Sequence, residues 1–354
     1  MENNPAGFSI IICTYNGVKR LKPTITHIAN LTIPHNLEVE LIIINNASTD
    51  STEKFVKETW SSIGKPFSLK VINEERPGKG YAVETGYDAA SYSYILTVDD
   101  DNWLNQDYLI QAVNLFQENP AIGILQGQCQ AAFEVDPPDW FSEFEYNFVI
   151  GSPIKQPGFF PETNYHVWGA GMVIKKSDWR LLRESGFSFL TSKVPGKAAG
   201  EDNETAMGLM LLGNKIYYSD KLKYIHHMPA DRIVWNKLKN NIEVYGYVRY
   251  YFFLYALVID SYNFNYRLTA FKIKKIFFKK WFTGISKFTI KEWITYWLFP
   301  GKNNSHLQIT YFNSVLRTFI KLNSNAMLDI KFLKGWMLPL LKQNQEKIKW
   351  VVNL

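Results

Sequence analysis

Four short apolar runs constrain this chain more than any other feature. Residues 8–14, 39–44, 69–72 and 94–98 are rich in Ile, Val and Leu and almost free of charge. That is the pattern of strands buried on both faces of a parallel sheet. The segments between them read as helices. Residues 19–31 carry Pro23 near their start, where proline is tolerated. Ser48 or Asp50 can cap a helix running through Glu58. A loop over 74–80 leads into a helix over 81–90. Strand, helix, strand, helix at this spacing predicts an α/β chain with a doubly wound, mostly parallel sheet. Sheets of this kind bind ligands at the C-terminal ends of their strands, and the polar residues of this segment collect at that rim.

Beyond Pro120 the regularity weakens. Residues 123–132 read as a strand, 140–150 as an aromatic-rich helix and 166–174 as a strand entered through glycines. Residues 177–184 and 200–212 read as helices, the second with Gly213 as its C-cap. Two short strands are expected over 215–218 and 222–225. From Pro229 the pattern changes to long aromatic, basic helices, over 233–259 and 271–281. Two domains are therefore expected, 1–228 and 229–354. The length of 354 residues and the 46% hydrophobic content allow for both cores, and 20% charged residues argue against disorder.

Charge divides at the same place. Through Met228 the acidic residues exceed the basic ones, 27 to 19; from Pro229 the basic residues exceed the acidic ones, 20 to 6. The basic part also holds six of the eleven Trp. Such a split points to an anionic partner for the second module. Two cysteines, Cys13 and Cys129, make no disulfide framework and no thiolate metal site, and they suit a reducing compartment. The N-terminus shows no signal-peptide pattern. The charge-free run 250–259 is shorter than the roughly 20 residues a bilayer span needs. A cytoplasmic protein, at the inner face of the membrane if the basic helices dock there, is expected.

Chemistry concentrates in a few places. The strand over 94–98 ends in Asp99-Asp100-Asp101. Three adjacent carboxylates either cap the helix that follows or gather a hard cation such as Mg²⁺. Gly78-Lys79-Gly80 precedes a helix, where free N–H groups attract phosphate. It lacks both the P-loop and the dinucleotide spacing, with Val83 at the third glycine position, so a tight turn is the alternative. Glu201-Asp202 opens a helix, as caps or as a general base. His226-His227 follows a strand, as structural residues or as a metal ligand completing an oxygen site. Trp168, before Gly169-Ala170-Gly171, is either core or a platform for a sugar face, with the small residues admitting substrate to the backbone.

Taken in order, these motifs become specific. They run Thr14-Tyr15-Asn16; Asn45-Asn46-Ala47-Ser48-Thr49-Asp50; Gly78-Lys79-Gly80; Asp99-Asp100-Asp101; Trp168-Gly169-Ala170-Gly171; Glu201-Asp202; His226-His227-Met228-Pro229, closing on Arg232. The set resembles the inverting family 2 glycosyltransferases of GT-A fold, over about residues 7 to 235.

The resemblance implies a hexosyltransferase-type enzyme. It would move a sugar from a nucleotide-diphosphate donor, with UDP the expected nucleotide, to a hydroxyl of a glycan or lipid-linked glycan in polysaccharide assembly. It implies Thr14, Tyr15, Asn16, Asn45, Lys79, Asp99, Asp101 and Arg232 on the nucleotide-sugar side. Asn45 stands where the family usually has Asp. Trp168, Gly169, Ala170, Gly171 and Glu201 fall to the sugar and acceptor side, and Asp202 to the catalytic base. Asp101 and His226 would hold Mn²⁺ or Mg²⁺. Inversion needs in-line attack and no covalent nucleophile, and none stands out in the motif set.

Two other functions compete. A nucleotidyltransferase making nucleotide-sugars would carry a Gly-rich basic loop after the first strand, which Thr14-Tyr15-Asn16-Gly17 does not supply. A non-catalytic glycan-binding protein would not need both Asp101 and Asp202. For the basic helices, one reading is docking at an anionic membrane surface. The other is a helical cap over the acceptor site or an oligomer contact, and the sequence leaves the oligomeric state open. Nucleic acid is not expected, since the lysines are interleaved with many large apolar residues.

Overall fold

A computed structural model describes residues 5–197, 199–298 and 301–343. They divide into two compact units: Met1–Asp136 with Phe148–Pro229, and Pro137–Asn147 with Ala230–Leu354. The short excursion 137–147 therefore leaves the first unit and belongs with the second.

The first unit opens with β1 (Gly7–Thr14), α1 (Leu21–Ala29), β2 (Glu38–Asn46), α2 (Thr52–Ser62), β3 (Ser68–Glu74), α3 (Lys79–Ala89) and β4 (Tyr94–Asp99). Then come β5 (Asn102–Leu104), α4 (Tyr108–Glu118) and β6 (Ile122–Phe133). After α5 (Phe141–Phe144), which lies in the excursion, follow β7 (Gly158–Phe159), β8 (Val173–Lys175), α6 (Lys176–Glu184), α7 (Glu201–Leu211) and β9 (Lys215–Met228). Among the described residues the strands form one sheet in the order β3-β2-β1-β4-β8-β6-β9-β5, with β7 added on β9.

The first four strands pair in parallel, as their apolar runs require. The sheet then becomes mixed. β8 is antiparallel to both β4 and β6, β6 and β9 are parallel, and β5 is antiparallel to β9. Alternate residues of β1 and β2, Ile10, Ile12, Leu41 and Ile43, are fully buried against Leu21, Ile25 and Ile28 of α1 and Val56 and Trp60 of α2. Burying such side chains is worth about 1.5–3 kcal/mol each. Ile11, Ile42 and Ile44, on the other face, are buried as well, which is why these runs read as continuous rather than alternating.

Three expectations change. Residues 166–174 are a strand only over Val173–Lys175, because Gly169–Gly171 makes a turn with Gly171 at φ +70. The helix over 140–150 is one turn of α-helix and a 3-10 turn, Glu145–Phe148, that ends at Val149 with φ +60. The two strands over 215–218 and 222–225 are one, β9. Its ladder with β6 survives the polar Ser219-Asp220-Lys221 through a register shift between Gln126 and Gln128. Gly127 permits the shift, since a Cβ there would lie 2.4 Å from the Leu222 carbonyl oxygen.

The second unit is helical: α8 (Trp235–Asn263), α9 (Ala270–Ile285), α10 (Ile290–Leu298), α11 (Asn304–Leu322) and α12 (Ala326–Gln343). Its core is aromatic. Phe277 of α9 stacks on Phe319 of α11 with centroids 3.6 Å apart, and Tyr255 of α8 meets the edge of Trp336 of α12. Trp140 and Phe144 of the excursion pack edge-on against Trp235. The charge-free run 250–259 understates α8. By length and composition α8 is long and apolar enough to cross a membrane, though 72% of its apolar window is buried within the protein.

Candidate active site at the strand ends

The carboxyl ends of β1, β2 and β4 bring the polar motifs of the first unit to one rim. β4 runs out at Asp99, and the three acids diverge at once. Asp99 Oδ1 accepts from Lys79 Nζ at 2.9 Å. Asp100 turns toward α1. It receives Arg20 Nη2 at 2.7 Å and the Thr14 hydroxyl at 2.6 Å, and its carbonyl takes Thr24 Oγ1 at 3.0 Å. Burial raises the Asp100 pKa, with Arg20 opposing and Asp101 adding to the rise. Asp101, 6% exposed, faces His226 of β9, with Oδ1 3.6 Å from Nε2. The register of β5 on β9, Asn102 opposite His226, sets these two side by side.

Lys79, first residue of α3, is the electrostatic centre. Its Nζ lies 2.9 Å from Asp99 and 3.1 Å from Glu201 Oε1 at the start of α7. Burial pulls its pKa down, but Asp99 and Glu201 more than offset this, and it ends well above the ordinary lysine value. Glu201 is buried and also takes the Ser192 hydroxyl.

Asp202 follows on the same turn and has different neighbours. Its Oδ2 accepts from the Gly169 N–H at 3.1 Å, and its Oδ1 accepts from the backbone and side-chain N–H of Asn203, both at 2.7 Å. Burial of the group and then the charge of Glu201 push its pKa up to about 7, with Lys79 opposing. A carboxyl poised there suits proton transfer near neutral pH.

The other expected residues settle as follows. Thr14 is buried with its hydroxyl committed to Asp100. Tyr15 is 57% exposed. Asn16, at φ +51, ties β1 to the loop after β2: its N–H donates to Ser48 Oγ, and its Oδ1 accepts from the Thr49 N–H at 2.8 Å. Asn45 Nδ2 donates to Asn73 Oδ1 at 2.8 Å, while its own Oδ1 is buried with no protein partner among the described residues. Trp168 is 7% exposed and packs in the core, with its N–H and C=O both bonded to the Gln126 amide. Gly169 lies over Asp202, where a Cβ would be 3.5 Å from the Asp202 Cβ. Ala170 and Gly171 are buried in the turn. Arg232 belongs to the second unit, in the turn before α8.

The N–H groups of Gly78 and Gly80, expected to be free for phosphate, are already bonded, to Asn46 Oδ1 and the Ser192 carbonyl, each at 3.0 Å. Asn46 also donates to the carbonyls of Glu74 and Arg76, and so holds the whole loop into α3. Sequence reasoning missed it, and missed two buried acids as well. Glu84 of α3 accepts from Ser188, Lys193 and the Phe189 N–H, and Glu204 of α7 accepts from the N–H groups of Leu190 and Thr191. Together they fix the segment that brings Ser192 to Glu201. Their signal was faint: Glu84 shares its helix face with Gly80 and Tyr87, and Glu204 shares its own with Met207 and Gly208, all buried.

A divalent cation fits between Asp101 and His226. The His226 Nδ1 lies 3.0 Å from the Phe148 carbonyl oxygen, which can only accept, so Nδ1 carries the proton. In the neutral ring Nε2 then turns a lone pair toward the Asp101 carboxylate. A carboxylate beside an imidazole lone pair, with the second nitrogen oriented by a carbonyl, is a donor set that a divalent cation accepts. Among the described residues no group of three or more His, Cys, Asp or Glu forms an all-protein cage. A site with few protein ligands, completed by water and substrate phosphates, is the Mg²⁺ habit.

Comparison with known proteins bears on the family and the fold. The family model for Glycosyl transferase family 2 matches residues 9–183. The poly-beta-1,6-N-acetyl-D-glucosamine synthase of Staphylococcus epidermidis is 27% identical over 182 residues, 51% of this chain and 42% of that protein. The synthase of the same name from Staphylococcus aureus strain COL is 26% identical over 145 residues, 41% of this chain and 34% of that protein. The chain thus spans less than half the length of these relatives. Among solved structures, S. aureus TarS 1-349 in complex with UDP-GlcNAc superposes with a TM-score of 0.53 at 16% identity, covering 95% of this chain and 91% of that one. At that identity the likeness is one of fold.

Proposed function

As a member of glycosyl transferase family 2 with a GT-A fold, this chain is a glycosyltransferase, and we propose that it transfers N-acetylglucosamine from UDP-N-acetylglucosamine, with inversion, to a hydroxyl of a glycan acceptor. The observation that carries the reading is Asp202: a carboxyl with its pKa raised to about 7, held by the Gly169 N–H and placed beside the Lys79, Asp99 and Glu201 cluster. Relatives named for N-acetylglucosamine and a structural neighbour in complex with UDP-GlcNAc support this choice of donor.

In this reading Asp202, when ionised, takes the proton of the acceptor hydroxyl as its oxygen attacks the anomeric carbon. Glu201 and Asp99 keep Lys79 charged and fixed, so that it can meet the nucleotide without reorganising. The buried Asn45 Oδ1 is an acceptor suited to a uracil N–H. Asp101 and His226 would hold Mn²⁺ or Mg²⁺, which when bound neutralises charge developing on the leaving diphosphate. Gly169, with no side chain, lets the sugar approach the backbone above Asp202.

The test is release of UDP from UDP-N-acetylglucosamine, with and without acceptor glycan, by the wild type and by Asp202→Asn. The variant should bind UDP as the wild type does and lose acceptor-dependent turnover by roughly 10²–10⁴-fold. Full turnover in the variant would remove Asp202 from the role of base.

A further inference from the structure

We propose that the outward faces of α9 and α10 form a docking surface for an anionic lipid bilayer. In α9 the buried residues are Ile273, Phe277, Trp281 and Gly284. Their spacing of four and three places them along one stripe of the helix. Away from that stripe, where a solvated helix carries charge, Phe271 and Phe282 are exposed by 76 and 58%. Lys274, Lys275 and Lys279 are exposed among them.

α10 goes further, since none of its residues is buried. Ile290, Ile294, Trp297 and Leu298 are exposed by 81, 50, 67 and 65%. They fall at i, i+4, i+7 and i+8, so they make a single apolar face.

Both helices lean on the same stripe of α11. Phe277 stacks on Phe319, and Trp281 Nε1 donates to the Phe312 carbonyl at 3.0 Å. Glu292 of α10 accepts from Ser305 at 2.6 Å, and Tyr296 packs on His306. Ser305, Phe312 and Phe319 recur every seven residues, two turns of the helix, and so share one side of α11. Ser314, on the other side, donates to the Glu243 carbonyl of α8. Phe253 of α8 also packs edge-on against Phe277 of α9, so α8, α9 and α11 share one aromatic cluster, and the exposed residues of α9 and α10 lie outside it.

Residues 270–298 hold seven lysines and one glutamate. Exposed large apolar groups set among lysines suit the headgroup region of an anionic leaflet, which takes the rings into the interface and pairs the ammonium groups with phosphate. A second copy suits the face poorly, because an isologous contact would bring lysines against lysines.

The test is co-sedimentation of the full chain with phosphatidylcholine vesicles, with and without phosphatidylglycerol. Binding should be at least about tenfold stronger to the anionic vesicles and fall with added salt. The double variant Ile290→Ser, Trp297→Ser should lose at least about tenfold in binding. Its circular dichroism and its UDP release from the donor should be unchanged, since both side chains are exposed. Equal binding of wild type and variant would overturn the proposal, as would absence of binding to anionic vesicles. A dimer of the wild type that the double variant dissociates, with no vesicle binding, would assign the face to a second copy and overturn it too.

Discussion

Glu201 and Asp202 are adjacent acids given different work by their neighbours. Glu201 is held by Lys79 and Ser192, whereas Asp202 receives amide hydrogens from Gly169 and Asn203 and sits beside the charge of Glu201. Burial and that charge raise its pKa to about 7, so below neutrality it is protonated and cannot accept a proton. Turnover should therefore climb as pH passes through about 7, and a pH–rate profile checks this. Stability moves the other way. A carboxyl whose folded pKa exceeds its unfolded one holds its proton more tightly when folded, so its contribution is present at low pH and lost as pH rises through about 7. Asp202→Asn should then gain stability relative to the wild type between about pH 5 and about pH 8, measured by urea unfolding. None of this was legible from the dipeptide, because a pKa depends on what surrounds it.

At the scale of elements, the turn Gly169–Gly171 matters most. It reads as the entry to a strand, yet its first residue, Gly169, lies over Asp202 and donates to it. Gly171 sits at φ +70, and a Cβ would come within 2.6 Å of the Tyr108 hydroxyl, which donates to the Gly171 carbonyl at 2.6 Å. Gly171→Ala should cost about 1–3 kcal/mol in urea unfolding, combining backbone strain with overpacking. It should also lower turnover by displacing the Gly169 N–H from Asp202. The parallel strands were legible because both their faces are buried and apolar. β8 is only three residues long, and β9 is broken by polar residues that only a bulged ladder with β6 reconciles; local pattern carries no sign of such a partner. In the second unit α8 and α9 were legible in position, whereas α10, α11 and α12 were not assigned and the exposed faces were not legible.

Across the whole molecule, an acidic first part carries the candidate site, and a strongly basic second part carries the exposed apolar residues of α9 and α10. UDP with Mn²⁺ should stabilise the protein by about 2.7 kcal/mol at a hundredfold excess over Kd, a rise of several degrees in the melting temperature. Chelation should reduce this shift, and Asp101→Ala should make it insensitive to metal; an unchanged metal dependence in that variant would remove Asp101 from the ligands. The sequence by itself determined the buried parallel strands, the rim where their polar ends gather, the order of motifs that marks the family, and the division of charge. These depend on composition and spacing along the chain. Tertiary structure decided that Asp100 braces α1 while Asp99 and Asp101 face the site. It also decided that Lys79 bridges two acids, that Trp168 is core, that Asn46, Glu84 and Glu204 fix the loops, and that α9 and α10 turn aromatic residues outward. Each of those depends on which residues, distant in sequence, share a low-dielectric neighbourhood, and only the packed fold sets that.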